Sequence, residues 1–295
     1  MVADPTGMGA LPSEILISIL SHFLTRDLLS LTPTCHLFHN VILRILQCRL
    51  LEAASHKDHK LILECYHPSA KFYTPYLHCA YLGTAGLNTN DEGICGDETT
   101  GSLGKLSKLY SYFRPLKPDE NRRALRPHPA GGWPALPPIG LVDKHERFVC
   151  QDIHLDSHEL FCQLVTVTNL VKLGPKPGVF KSSVNIGEGL TRVWRDWLSD
   201  RVSCCDDLGS NEREKRLLWS DSGNHVGMRM NVEERREIPP PIMLRSDEDP
   251  PVSYTLQYEE LAIRTSQLLL MVEQSFYQKV NSSSKSAIVI GSWID

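Results

Sequence analysis

The chain has 295 residues, 41% of them hydrophobic and 22% charged, and a formal net charge of -4. That composition is globular and large enough for two domains and a substantial core, and the acidic balance excludes the clustered cations of a nucleic-acid footprint. No run approaches the roughly 18 consecutive apolar residues of a spanning helix, and the 9 cysteines are odd in number and irregularly spaced, so neither a membrane protein nor a disulfide framework is expected.

The first element lies in "LPSEILISILSHFLTRDLLSLTPTCHLFHNVI", from residue 11 to residue 42. Glu14, His22, Arg26 and Asp27 interrupt its apolar character, which is not how a signal peptide reads. Pro12 suits the start of a helix, with Ser13 or Glu14 at its positive end. Ile15, Leu16, Ile19, Leu20 and Phe23 recur at three- and four-residue spacing and predict one apolar stripe, with Glu14, Ser18, Ser21 and His22 opposite. Thr25 is placed to cap a second helix carrying Leu28, Leu29 and Leu31, and Pro33 ends it. A third helix carries Phe38, Val41, Ile42 and Ile45 and continues to about residue 54. The apolar residues outnumber what three short helices bury among themselves, and such a surplus marks a partner surface.

This ordered set resembles the F-box: Leu11-Pro12 with Glu14-Ile15, Ile19-Leu20, Asp27-Leu28-Leu29, Leu31, then Cys35 with Phe38. The resemblance implies docking onto a Skp-type adaptor and, through it, a cullin, in a Skp/cullin/F-box ubiquitin ligase whose remaining chain chooses the substrate. The residues that match, and are carried over as adaptor-binding, are Leu11, Pro12, Ile15, Ile19, Leu20, Leu28, Leu31 and Phe38. The F-box module is taken as residues 8–54 and the rest, 55–290, as a β-rich domain for substrate recognition. Such a receptor works in the cytosol or nucleus.

After the module, residues 61–66 and 76–82 read as strands separated by His67-Pro68-Ser69. "LECYHPSAK" and "PYLHCAYLGT" resemble segments that follow the F-box in a group of filamentous-fungal F-box proteins. From about 84 to 144 the chain is rich in Gly, Asn, Asp and Pro, so a flexible insertion is expected, with 103–113 as one helix inside it and Trp133 anchoring a loop. "LFCQLVTVTNLV", "GVFKSSVNI", "RLLWSD" and "VGMRMNVEE" are β-branched or alternating runs. "LTRVWRDWL" fits a strand or a helical face, "VSYTLQ" is strand-like, and in "YEELAIRTSQLLLMVEQSF", where Tyr258, Leu261, Thr265, Leu268, Leu269 and Val272 fall at helical spacing, a C-terminal helix is expected for the later half; "REIPPPIMLRSDEDPP" reads as a proline-rich acidic loop. The fold class expected is α+β: a three-helix F-box, then a β-rich, sandwich-like domain.

Cys35, His36, His39, Cys48, His56, His59, Cys65 and His67 lack a CxxC anchor, so no metal site is expected, and no cofactor. Cys150, His154, Asp156 and His158 form the best local set for nucleophilic chemistry, but no GxSxG, phosphate-cradling loop or HExxH accompanies them. Trp194, Arg195 and Trp197 are of the types enriched at binding hot spots and are the candidates for gripping a substrate. Two functions stay open: a non-catalytic ligase receptor for a protein, or a glycan by analogy with sugar-binding F-box proteins, and a small-molecule or hydrolytic enzyme carrying an F-box for regulation.

Overall fold

The computed structural model describes residues 11–55, 59–71, 74–85, 103–117, 148–174, 179–203, 217–235, 250–281 and 288–289. Three helices come first: α1 (Ser13–Leu20), α2 (Thr25–Leu31) and α3 (His36–Ser55). The five apolar residues expected to form one stripe on and just after α1 divide into two. Leu16 and Leu20 turn inward to join Leu28, Val41, Ile42, Ile45 and Leu46 in one cluster, while Ile15, Ile19 and Phe23 face outward. Each fully buried Leu or Ile contributes roughly 1.5–3 kcal/mol, so this cluster is what holds three short helices together.

Ten strands follow: β1 (Lys60–Tyr66), β2 (Leu77–Thr84), β3 (Tyr110–Pro115), β4 (Val149–Leu155), β5 (Phe161–Leu173), β6 (Val179–Trp194), β7 (Leu217–Trp219), β8 (Val226–Arg235), β9 (Val252–Arg264) and β10 (Ile288–Val289). They form one antiparallel sheet in the order β10-β6-β5-β1-β2-β3-β9-β8-β7. β9 is its hub, with β8 along one edge and both β3 and β4 end to end along the other, Tyr110 opposite Arg264 and Leu155 opposite Val252. Flanked on both edges, β9 buries Tyr254, Leu256, Tyr258, Leu261 and Ile263.

The sheet curls until its ends meet. A Cβ on Gly189 in β6 would lie 1.9 Å from the Ser220 carbonyl oxygen after β7, and one on Gly187 would lie 2.9 Å from Val226. Only residues without a side chain admit that approach. The sandwich-like layering therefore arises from two ends of a single sheet, which enclose one core running from Leu61 and Leu63 through Leu164 and Leu170 to Leu256 and Leu261.

Two local expectations are corrected. Residues 103–113 are not one helix: α4 (Leu103–Leu106) stops after one turn, and Tyr110–Pro115 is a strand between β2 and β9, because Ser111 and Phe113 alternate into the interior. Part of the span expected as a flexible insertion is thus integral to the sheet, and the remainder, Trp133 included, lies outside the described residues. "LTRVWRDWL" is both: strand through Trp194, then α5 (Arg195–Ser203). The C-terminal helix, α6 (Thr265–Asn281), takes the later half of its stretch as expected, since the ladders on both edges of β9 hold Tyr258 and Leu261 extended.

Candidate functional site

On the F-box module, Leu11, Ile15, Ile19 and Phe23 are 38%, 48%, 41% and 44% exposed. Their four-residue spacing places them along one side of α1 and its flanks, next to the side that carries the buried Leu16 and Leu20. Pro12, and Leu29 on α2, are exposed as well. The expected docking set therefore divides: Leu11, Pro12, Ile15 and Ile19 lie on the surface, Leu31 and Phe38 are half-buried, and Leu20 and Leu28 serve the module's own core. Sequence spacing could not make that distinction, because Ile15 and Ile19 adjoin Leu16 and Leu20 in one broad apolar stripe.

The module is fixed to the rest of the chain by α6. Thr25 is the first residue of α2 rather than its cap, and Leu24, at the cap position, offers no side-chain acceptor. The Glu273 carboxylate supplies it, accepting from the Thr25 backbone N–H at 3.2 and 3.3 Å and from Thr25 Oγ1 at 2.6 Å. Arg49 on α3 donates to the same carboxylate at 3.2 Å and to the carbonyls of Ser21 and Phe23 at 2.8 and 2.6 Å. Leu50 and Ala53 of α3 pack on Leu269 of α6, and His59 and Ser182 both bond Ser275 in a buried chain. Motif reading missed Glu273 because no local signal links it to Thr25.

On the sheet domain, the substrate-gripping trio separates. Arg195 donates to the carbonyls of Asp156, Glu159 and Pro250, so it staples the start of α5 to the β4–β5 turn. Trp197 packs against the core with the Arg201 guanidinium 5.1 Å from its ring. Trp194 alone of the three is exposed, edge-on to Phe161 with ring centroids 5.1 Å apart, near the exposed Leu160 and Leu190.

A family model described as F-box-like matches residues 8–49. Residues 8–49 are an F-box-like domain. No curated protein and no solved structure matches it. An F-box suggests an adaptor-binding role in a Skp/cullin/F-box ligase, and the exposed stripe on α1 lies wholly within the matched residues. No helix among the described residues is long and apolar enough to cross a membrane.

The residues that suggested nucleophilic chemistry do not converge. Cys150 and His154 stand four residues apart on β4, about 13 Å along a strand. Burial pushes the Cys150 thiol up, away from the thiolate that a nucleophile requires. His154 instead takes Ser253 Oγ at 2.9 Å on Nδ1 and Asp156 at 3.2 Å on Nε2, a chain on the outside of the sheet where water competes for each contact. Asp156, His158 and Glu159 bring ligand atoms within 4.8 Å of one another, all exposed. Burial pushes Cys65 and Cys79 up to about 12 and Cys162 to about 11, so these are packing residues. The Cys35 to His67 set is dispersed likewise, with Cys35 and Cys48 on the exposed side of the helical module and Cys65 in the sheet core.

Proposed function

We propose that this F-box protein is the non-catalytic substrate-recognition subunit of a Skp/cullin/F-box ubiquitin ligase, acting in the cytosol or nucleus on a protein substrate. The observation that carries the reading is the exposed stripe of Leu11, Ile15, Ile19 and Phe23 along a helix whose adjacent side, Leu16 and Leu20, already fills the module's core. A stripe of that kind exceeds what a surface helix leaves in water without a partner. The curled sheet domain, clamped to the module through Glu273 and Arg49, is the part that would present a substrate at a fixed distance from the adaptor.

The test is binding of the full chain to a purified Skp-type adaptor. Ile15→Asp with Ile19→Asp places two charges in the stripe and leaves the core untouched, so the variant folds and loses the adaptor. Adaptor binding by the folded double variant at wild-type affinity would overturn the docking face, and failure of the wild-type chain to bind would overturn the reading.

A further inference from the structure

β4 and β5 are consecutive strands joined through residues 156–160, the arrangement of a hairpin, yet they form no ladder with each other. β4 pairs with β9, and β5 with β1 and β6. The two strands diverge from their turn, and the space between them is a groove of ≈ 650 Å³ lined by residues 151–155 of one and 160–163 of the other, with His67 and Ser69 at the end of β1. The β1–β5 ladder ends at Tyr66 opposite Val165. Residues 161–164 therefore pair on the β6 side alone among the described residues. Backbone groups point alternately to the two edges of a strand, so two of these four residues direct both N–H and C=O into the groove.

We propose that this groove binds an extended peptide segment of the substrate by strand addition to residues 161–164 of β5. Natural sheets protect an unpaired edge with Lys, Pro, a bulge or a covering element. This one is bordered by the exposed Leu160 and by Phe161, which form an apolar shelf, and its turn end carries His158 and the Glu159 carboxylate, with Asp156 beside them. Main-chain hydrogen bonds supply affinity in strand addition, and pockets for alternate side chains supply selectivity. The chemistry that fits is an extended segment with an apolar side chain for the shelf and a Lys or Arg toward the turn. The slot takes about 13 Å of strand along residues 161–164. The identity of the ligand as a substrate rests on the receptor reading, whereas the strand-addition geometry does not.

The experiment pans a random-peptide phage library against the full chain and follows the selected peptides, as synthetic probes, by amide hydrogen exchange. The expected result is fast exchange in residues 161–164 of the free chain and protection there on binding. Backbone N-methylation at alternate peptide positions should weaken binding at least about tenfold through lost main-chain bonds. Leu160→Ala, at an exposed position lining the groove, should keep the fold and weaken binding several-fold. Protection of 161–164 already in the free monomer, enrichment of no peptide, or protection confined to another segment would each overturn the proposal. Protection that appears only with dimerisation would assign the edge to a second copy of the chain and overturn it also. Measuring adaptor binding in parallel separates the two readings: a chain that binds peptide but no adaptor keeps the site and loses the ligase, and the converse loses the site alone.

Discussion

The carboxylate of Glu273 on α6 closes the N-terminus of the helix that begins at Thr25, 248 residues away in sequence. The first N–H groups of a helix have no intrahelical acceptor, and Leu24 cannot provide one. A charge-assisted contact from a distant helix does so here, and Arg49 neutralises the carboxylate from the other side. The orientation of the F-box on the sheet domain and the integrity of α2 thus depend on the same side chain.

Glu273→Ala is accordingly expected to remove about 2 kcal/mol of stability, since it takes away a cap and leaves Arg49 partly buried without its partner. Amide exchange in α2 should rise before that in the sheet. Glu273→Gln should retain part of the cap and fall between the two. Uniform exchange across α2 in the alanine variant, unchanged from wild type, would show that water replaces the carboxylate without loss.

The two sides of α1 and its neighbours should respond in opposite ways. Leu28→Ala empties a fully buried position and should cost about 2–5 kcal/mol of stability. Ile19→Ala, at a position 41% exposed, should leave the melting temperature nearly unchanged. Adaptor affinity should fall with Ile19→Ala by about 1–2 kcal/mol, as for an interface contact outside the main anchors. Thermal unfolding paired with calorimetric titration of the adaptor reads both. A destabilised Ile19→Ala would mean that this side of the helix is core.

Much of this was legible in the order of residues. The F-box helices, β1, β2, β5, β7 and β8 follow from period and turn chemistry, because each is a local pattern. What was not legible is non-local. Tyr258 and Leu261 satisfy a helical spacing as well as a strand, and only the ladders with β4, β3 and β8 decide between them. Tyr110 to Phe113 was absorbed into a helix for the same reason, its sheet neighbours lying far off in sequence. In the candidate sites, Trp194, Arg195 and Trp197 are adjacent in sequence but serve surface, turn and core, since the strand ends between the first two. The edge at 161–164, unpaired among the described residues, had no sequence signal, as a missing neighbour is a property of the sheet alone.

Closure of the sheet makes Gly189 sensitive. Its place opposite the Ser220 backbone leaves no room for a methyl group, and a carbonyl cannot rotate away as a side-chain tip can. Gly189→Ala should cost at least about 2 kcal/mol by forcing β6 and the β7–β8 turn apart. The urea midpoint should fall with little change in the slope against denaturant. A wild-type midpoint would show that the turn shifts freely.

That turn is held by Asp221, which gives a pH dependence with a definite sign. Its carboxylate accepts backbone N–H groups from Gly223 at 3.1 Å, His225 at 2.9 Å and Val226 at 3.1 Å, and His225 Nδ1 at 2.6 Å. It thereby stabilises a turn whose Asn224 has a φ of 52°, in the left-handed region. Burial raises the pKa of Asp221, but the hydrogen bonds from Val226 and His225 outweigh it and leave the group below its ordinary value of 3.8. A carboxyl depressed in the folded state binds protons more weakly there than in the unfolded chain, so stability rises with pH across that window. The contribution is present in full above about pH 5 and is lost as the pH falls through the folded value. Asp221→Asn should therefore lower stability by about 1–2 kcal/mol at pH 7, the cost of weakening hydrogen bonds to a charged acceptor. Near pH 3 the difference between variant and wild type should shrink, as the wild-type group itself begins to protonate. Urea titrations of both proteins at the two pH values measure it, and a gap of constant size would place the stabilisation of the turn in groups other than the Asp221 charge.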